Sequence, residues 1–366
     1  MSKKTRIFGT GTMRSGGSLV SNILGLSSEV KVFTEVIYFA RHVFKSNLNF
    51  KNSKVLLFIA SEMSNRIYYR NGINIPATNF YVNFIKYKLK NTSDLYERIL
   101  FTFLEHYKQI NKKIVLEYSN GEWRFIENFL KLNKKYKAFH IIRDPRAIIS
   151  SFKKITFSKG YEYFFPIFNW IDSYNYYLKY KKKYNSKRYL FIKFEDIHLN
   201  PVSSTKKILS FADLRFKRKY LQKNFWKKKL NKNQDYINFS AYTKKKQYAF
   251  NKNRINKWQS SLEDWEISLI QNLLSKPMEK LDYYKINFKN DKKLFSQGLK
   301  NIKTVPIFRE RLNNMLKKNE GTNLKVNDPK DPINWSSRYD PRKKFFNDKE
   351  YKIFINNYKK IMELNK

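Results

Sequence analysis

The stretch Gly9-Thr-Gly-Thr-Met-Arg-Ser-Gly-Gly-Ser18 decides how this 366-residue chain is read. Before it, Thr5–Thr12 reads as a short strand with Ile7 and Phe8 as its apolar pair. After it, Leu19, Val20, Ile23, Leu24 and Leu26 make the stripe of a buried helix. A glycine-rich turn between a strand and a helix puts backbone N–H groups at the positive end of a helix dipole, which is a ready anion site. Glycines at such a turn let the backbone come close to a ligand.

Gly11-x-x-x-x-Gly16 has the spacing of a Walker A loop, but Gly17 follows where the motif needs Lys. The charge sits inside the loop instead, at Arg14. The loop therefore suits phosphate without suiting Mg-ATP hydrolysis. A nucleotide kinase or NTPase remains the alternative reading within enzymes, with magnesium dependence as the discriminator.

Further strands are expected at Lys113–Tyr118, Ala138–Ile142 and Tyr189–Phe194. Helices are expected over much of 36–110, interrupted at Pro76, and over Trp123–Leu132, Glu162–Tyr184 and from Pro201 to about Leu214. Residues 215–258 read as loops. Ser260 with Glu263 is a candidate capping box for a helix running to about Leu281. Alternating strands and helices imply an α/β fold: a three-layer sandwich with a central parallel sheet, P-loop-NTPase-like, with helical insertions. The boundaries expected are a domain over 1–290, insertions at about 40–110 and 153–188, and a basic helical C-terminal extension over 291–366. That extension reads as a helical piece at Pro306–Lys318, a Pro/Asp-rich loop at 327–343 and a final helix.

A second element follows the third expected strand, Ile142-Arg-Asp-Pro-Arg-Ala-Ile-Ile-Ser-Ser-Phe152. Asp144 is placed as an N-cap and Pro145 as the first helical residue. Arg143 and Ser151, eight residues apart, can converge on one phosphate.

Composition narrows the partners. The chain has no cysteine and four histidines, so disulfides, thiolate zinc sites and cysteine nucleophiles are excluded and no metal site is expected. It has no apolar run long enough to cross a membrane and no signal-peptide core, which points to a cytoplasmic protein without a transmembrane anchor. The formal net charge is +45. A polyanionic partner is one explanation. The joint over-use of Lys, Asn, Ile, Phe and Tyr, as in codon drift of an AT-rich genome, is the other. No zinc finger or RNP sequence is present, so no specific nucleic-acid partner is expected. A basic, non-catalytic polyanion-binding protein with the same fold is the alternative from outside enzymes.

These two elements together resemble those of PAPS-dependent sulfotransferases (PAPS is 3′-phosphoadenosine 5′-phosphosulfate). Met13-Arg-Ser-Gly-Gly-Ser-Leu19 is similar to the family's 5′-phosphosulfate loop, usually Pro-Arg-Ser-Gly-Thr-Thr-Leu. Arg143 and Ser151 stand where the family grips the 3′-phosphate. Phe194-Glu-Asp-Ile-His-Leu-Asn-Pro201, Trp170…Tyr174-Asn175 and Arg254-Ile-Asn-Lys-Trp258 are weaker echoes, and the likeness spans about residues 5–285. The resemblance implies PAPS as donor, PAP as product and a hydroxyl-bearing acceptor. It implies donor contacts at Arg14, Ser15, Gly16, Gly17, Ser18, Leu19, Arg143, Ser151, Arg254 and Lys257.

Sulfuryl transfer needs a base for the acceptor hydroxyl and positive charge for the leaving phosphate, which arginines and backbone amides can supply without a metal. Glu35 lies 21 residues past Arg14, in Val32-Phe-Thr-Glu-Val-Ile-Tyr-Phe39. By residue type it is either a general base or a helix-start glutamate beside an N-cap Thr34. The resemblance favours the base, since tyrosylprotein and heparan-type sulfotransferases place a catalytic Glu at about this offset. It makes Glu35 and Arg14 the catalytic pair, with His42 a poor second, and leans towards a carbohydrate acceptor. The main departure is Glu117-Tyr-Ser-Asn120. Many relatives carry a Lys, and cytosolic ones a His, at this place. Lys257 and Arg14 are the candidate replacement cations.

Overall fold

The computed structural model describes residues 4–322 except 38, 40–42, 44–49, 52, 72, 155–159, 233–238, 241–242 and 247–248. His42, the loop at 327–343 and the final helix of the extension lie outside the described residues.

Five strands form one sheet: β1 (Thr5–Gly11), β2 (Val30–Thr34), β3 (Ile114–Asn120), β4 (Lys137–Ile142) and β5 (Tyr189–Lys193). Their spatial order is β2-β3-β1-β4-β5 and every pairing is parallel. Alternate side chains divide between two faces. Ile7 joins Val20, Ile23 and Ile141 on one face, while Phe8 joins Phe39, Phe129 and Ile142 on the other. Both faces are buried under helices, as parallel sheets require. The first face carries the helices Gly17–Gly25 and Pro201–Phe211. The second carries Thr92–His106, Ile126–Leu132 and Pro166–Lys183. This is the α/β three-layer arrangement expected from the sequence.

Four of these strands are those expected from the sequence; β2 is not among them. All five β2 residues are buried, including Lys31. A mid-strand lysine reads as solvent-facing, but here its ammonium lies 3.3 Å from the centroid of the Tyr107 ring. Thr34 closes a strand and does not cap a helix.

Three further expectations change. The 215–258 stretch holds a helix at Lys223–Lys232. The helix after Ser260 begins at Asp264 and ends at Leu273, with a separate turn of helix at Ser275–Glu279. Its cap is shifted by three residues: the Glu266 carboxylate accepts from the Glu263 N–H at 2.7 Å, while Ser260 Oγ turns back to the Lys257 carbonyl. A helix at Asp291–Ile302 precedes the expected Pro306–Lys318 helix, and Gly298 lets it lie against Leu269. Among the described residues no helix is long and apolar enough to cross a membrane.

The strand order places β1 at the centre: the chain goes from it to β2 and β3 on one side, then crosses to β4 and β5 on the other. Such a switch point opens a crevice at the carboxyl ends of the strands, which is where open α/β sheets bind ligands.

Candidate active site

Two clusters meet at that crevice. The first is built on the carboxyl end of β1. The chain turns through Thr12–Gly16, where Ser15 Oγ and the Ser15 N–H both donate to the Thr12 carbonyl, at 2.6 and 3.2 Å. Arg14 and Gly16 take left-handed backbone, with φ of 67° and 98°. The helix then starts at Gly17, followed by Ser18 and Leu19. The first N–H groups of a helix lack intrahelical acceptors; the Leu19 N–H already donates to the Gly16 carbonyl at 2.9 Å, which leaves those of Gly17 and Ser18 for an anion. A Cβ at Gly17 would lie 1.7 Å from Cζ of Tyr118, so only glycine lets the helix end sit on that ring.

Arginines converge on this loop. Arg14 Nε donates to Ser151 Oγ at 2.9 Å, joining the two sequence elements directly. Arg143 Nη1 donates to the Arg14 carbonyl at 3.2 Å, and its Nη2 to the Arg254 carbonyl at 3.0 Å. Its guanidinium lies 4.3 Å from the centroid of the Phe194 ring. Nε of Arg143 is buried without a hydrogen-bond partner among the described residues. Burial pushes the Arg143 guanidinium down to about 10, with Arg14 and Arg254 adding to the effect and Glu195 and Asp144 opposing it. Burial also lowers Arg254. A site this rich in positive charge, with a buried donor left over, fits a phosphate-bearing anion.

The local sequence explains how these cations are held. Asp144 caps the Pro145–Lys153 helix through the Arg146 N–H. Trp170 Nε1 donates to the Arg143 carbonyl at 2.8 Å. Glu195 accepts from the Asp144 N–H and from the Tyr283 hydroxyl, and burial raises its carboxyl to about 7, with Asp144 adding to the rise. Arg146 was not singled out in the sequence. It is fully buried, forks onto Asp144, reaches Gln271 at 2.9 Å, and stacks 4.0 Å from the Trp258 ring. That stack fastens the 254–258 segment, and so Arg254, to the start of the Pro145–Lys153 helix. Lys257 is exposed, and its recorded bonds are made by its carbonyl, to Ser260 and Ser261.

The second cluster lies at the carboxyl ends of β2 and β3. Glu35 immediately follows β2 with φ of 56°. A non-glycine residue in this region costs on the order of 1–3 kcal/mol, and such strain persists where surrounding contacts dictate it. Here the Glu35 N–H donates to the Tyr118 carbonyl and the Glu35 carbonyl accepts from Arg66 Nη2, each at 2.7 Å. Asn120 Nδ2 donates to Glu35 Oε1, and the Tyr118 hydroxyl donates to Asn120 Oδ1 at 2.7 Å. β3 and β1 stay in register past their ends through Gly121 N–H on the Gly11 carbonyl.

Tyr118 is buried and stacked on Phe139. Burial raises its phenol well above the usual range, and the nearby Glu35 carboxylate adds to this. His140 and Glu117 are also buried in the core. His140 is held between Tyr189 and Ser173, and burial lowers it to about 3. Glu117 accepts from the Phe39 N–H at 2.9 Å, and burial raises it to about 7.

The family model for the sulfotransferase family matches residues 6–218, more than half of the chain. The chain therefore belongs to the sulfotransferase family, the class of enzymes that use PAPS as donor. The sulfotransferase domain of the Synechococcus PCC 7002 olefin synthase is similar in structure, with a TM-score of 0.50 at 14% identity, covering 78% of this chain and 98% of that one. The sulfotransferase domain of the curacin biosynthetic pathway is similar too, with a TM-score of 0.50 at 13% identity, covering 77% and 99%. A search of curated proteins by sequence finds no match.

Proposed function

We propose that this enzyme moves the sulfuryl group of PAPS to a carbohydrate hydroxyl, with Glu35 as general base and Arg14 at the leaving phosphate. The observation that carries this reading is the meeting of Arg14, Ser151, Arg143 and Arg254 at one end of the sheet, with Glu35 held at the neighbouring strand ends. Gly16, Gly17 and Ser18 would hold the 5′ end of the donor with backbone N–H groups, in a turn shaped by the Ser15 and Leu19 N–H bonds to the Thr12 and Gly16 carbonyls. Arg143 and Ser151 would hold its 3′-phosphate. Arg254 would close over it, and Lys257 would reach in from the surface. Bound PAPS supplies a sulfuryl group on a phosphate leaving group.

The chain's own residues then have distinct tasks. Glu35 takes the proton of the acceptor hydroxyl. As the acceptor oxygen bonds to sulfur, the bond from sulfur to the bridging oxygen breaks and its electron pair stays on the phosphate. Arg14 and the helix N–H groups stabilise the charge that develops there. The carbohydrate acceptor is supported by the likeness of Glu35-Val-Ile-Tyr-Phe39 to the Glu-x-x-Phe-Phe of heparan-type enzymes.

Calorimetric titration with PAP, alongside Mg-ATP, tests the donor. Binding of PAP is expected, and binding of Mg-ATP without PAP would overturn the assignment. Labelled PAPS offered with desulfated glycans, phenols and steroid alcohols tests the acceptor. Labelling confined to the phenols or steroids would remove the carbohydrate.

A further inference from the structure

We infer that Tyr118 and Asn120 are positioning residues that set the orientation of the Glu35 carboxylate and register it against the donor's phosphate loop. This rests on Glu35 being the base. The two side chains share a face of β3, because strand residues alternate with a period of two.

The chemistry of the chain of contacts fixes its direction. The Tyr118 phenol is buried beside a carboxylate, so it keeps its proton. It therefore donates to Asn120, and the amide must offer its oxygen. A side-chain amide has one acceptor and one double donor at opposite ends of its fork. Holding Oδ1 on the phenol turns Nδ2 onto Glu35 Oε1. The main chain of Glu35 is already fixed at both its N–H and its carbonyl. What remains is the rotation of its carboxylate, and Asn120 holds one of its two oxygens. At the other end of the relay, the Tyr118 ring packs on Gly17, the first residue of the anion-binding helix. One aromatic ring thus touches the donor site and steers the base.

The test uses the full chain and separates turnover of PAPS from donor affinity. Asn120→Ala removes the hydrogen bond that orients the carboxylate, so kcat should fall by roughly tenfold or more while PAP affinity, by calorimetry, stays within about twofold of the parent. Tyr118→Phe keeps the ring on Gly17 and frees the amide, so a smaller loss of kcat is expected, and this variant carries the measurement if Asn120→Ala does not fold. In a Glu35→Gln background neither substitution should lower kcat further, because the group they position is gone. Parent kcat in both Asn120→Ala and Tyr118→Phe, or a loss that adds in full to that of Glu35→Gln, would overturn the relay. Unchanged turnover in Glu35→Gln itself would instead remove Glu35 as the base.

Discussion

The arginine end of the crevice and the glutamate end are built in opposite ways. The arginine end comes chiefly from two compact segments, 9–19 and 143–151, each a strand end joined to a helix by a short turn. Its side chains reach one another directly, Arg14 to Ser151 and Arg143 to the Arg14 carbonyl. The glutamate end has no comparable segment. Glu35 hangs on an edge strand, in left-handed backbone, and its position depends on β3 from one side and Arg66 of the Ser53–Asn71 helix from the other. A charge-binding site can be written locally, because a helix end supplies its field. A base needs its orientation dictated by neighbours.

Substitutions can separate the two ends. Glu35→Gln should lower turnover of PAPS by roughly a thousandfold, in the range expected for loss of a general base, and leave PAP affinity unchanged. Loss of PAP binding in that variant would mean that the two ends are one. Arg143→Lys keeps a charge but loses the fork, and PAP affinity should fall by about tenfold or more. Turnover at saturating PAPS should change much less, and a purely kcat effect would break the division of labour. Gly17→Ala drives a methyl group into the Tyr118 ring and should disturb both ends together, at a stability cost of about 1–3 kcal/mol. Wild-type thermal stability and PAP affinity would show that the ring has room to move.

The smallest effect is on pH dependence. Glu117 lies on the face of β3 opposite the relay, and its carboxyl rises from 4.5 to about 7 through burial. A raised carboxyl contributes most below its unfolded value, so stability should fall as pH climbs from about 4.5 to 7. Glu117→Gln should flatten part of that descent in Tm, with Glu195 supplying the rest because it is raised in the same way. An equally steep profile in the variant would show that Glu117 does not titrate with folding.

Legibility followed the same division. The glycine loop, Asp144 as N-cap and Arg143 with Ser151 are short-range patterns, so they stand out in the chain. β2 did not stand out, because Lys31 masks a five-residue buried strand until Tyr107, from beyond the Thr92–His106 helix, is placed against it. Arg66 and Arg146 look like ordinary helical arginines. Their roles depend on Glu35 and Trp258, which are distant in sequence.

The sequence by itself determined the α/β class, the family and the residues that can carry anion charge, since periodicity and a helix N-terminus act over a few residues. Only the tertiary structure decided how Glu35 is aimed. Parallel pairing of β2 with β3 brings residues 35, 118 and 120 to one edge, and hydrogen-bond direction is fixed by contacts the linear chain does not display.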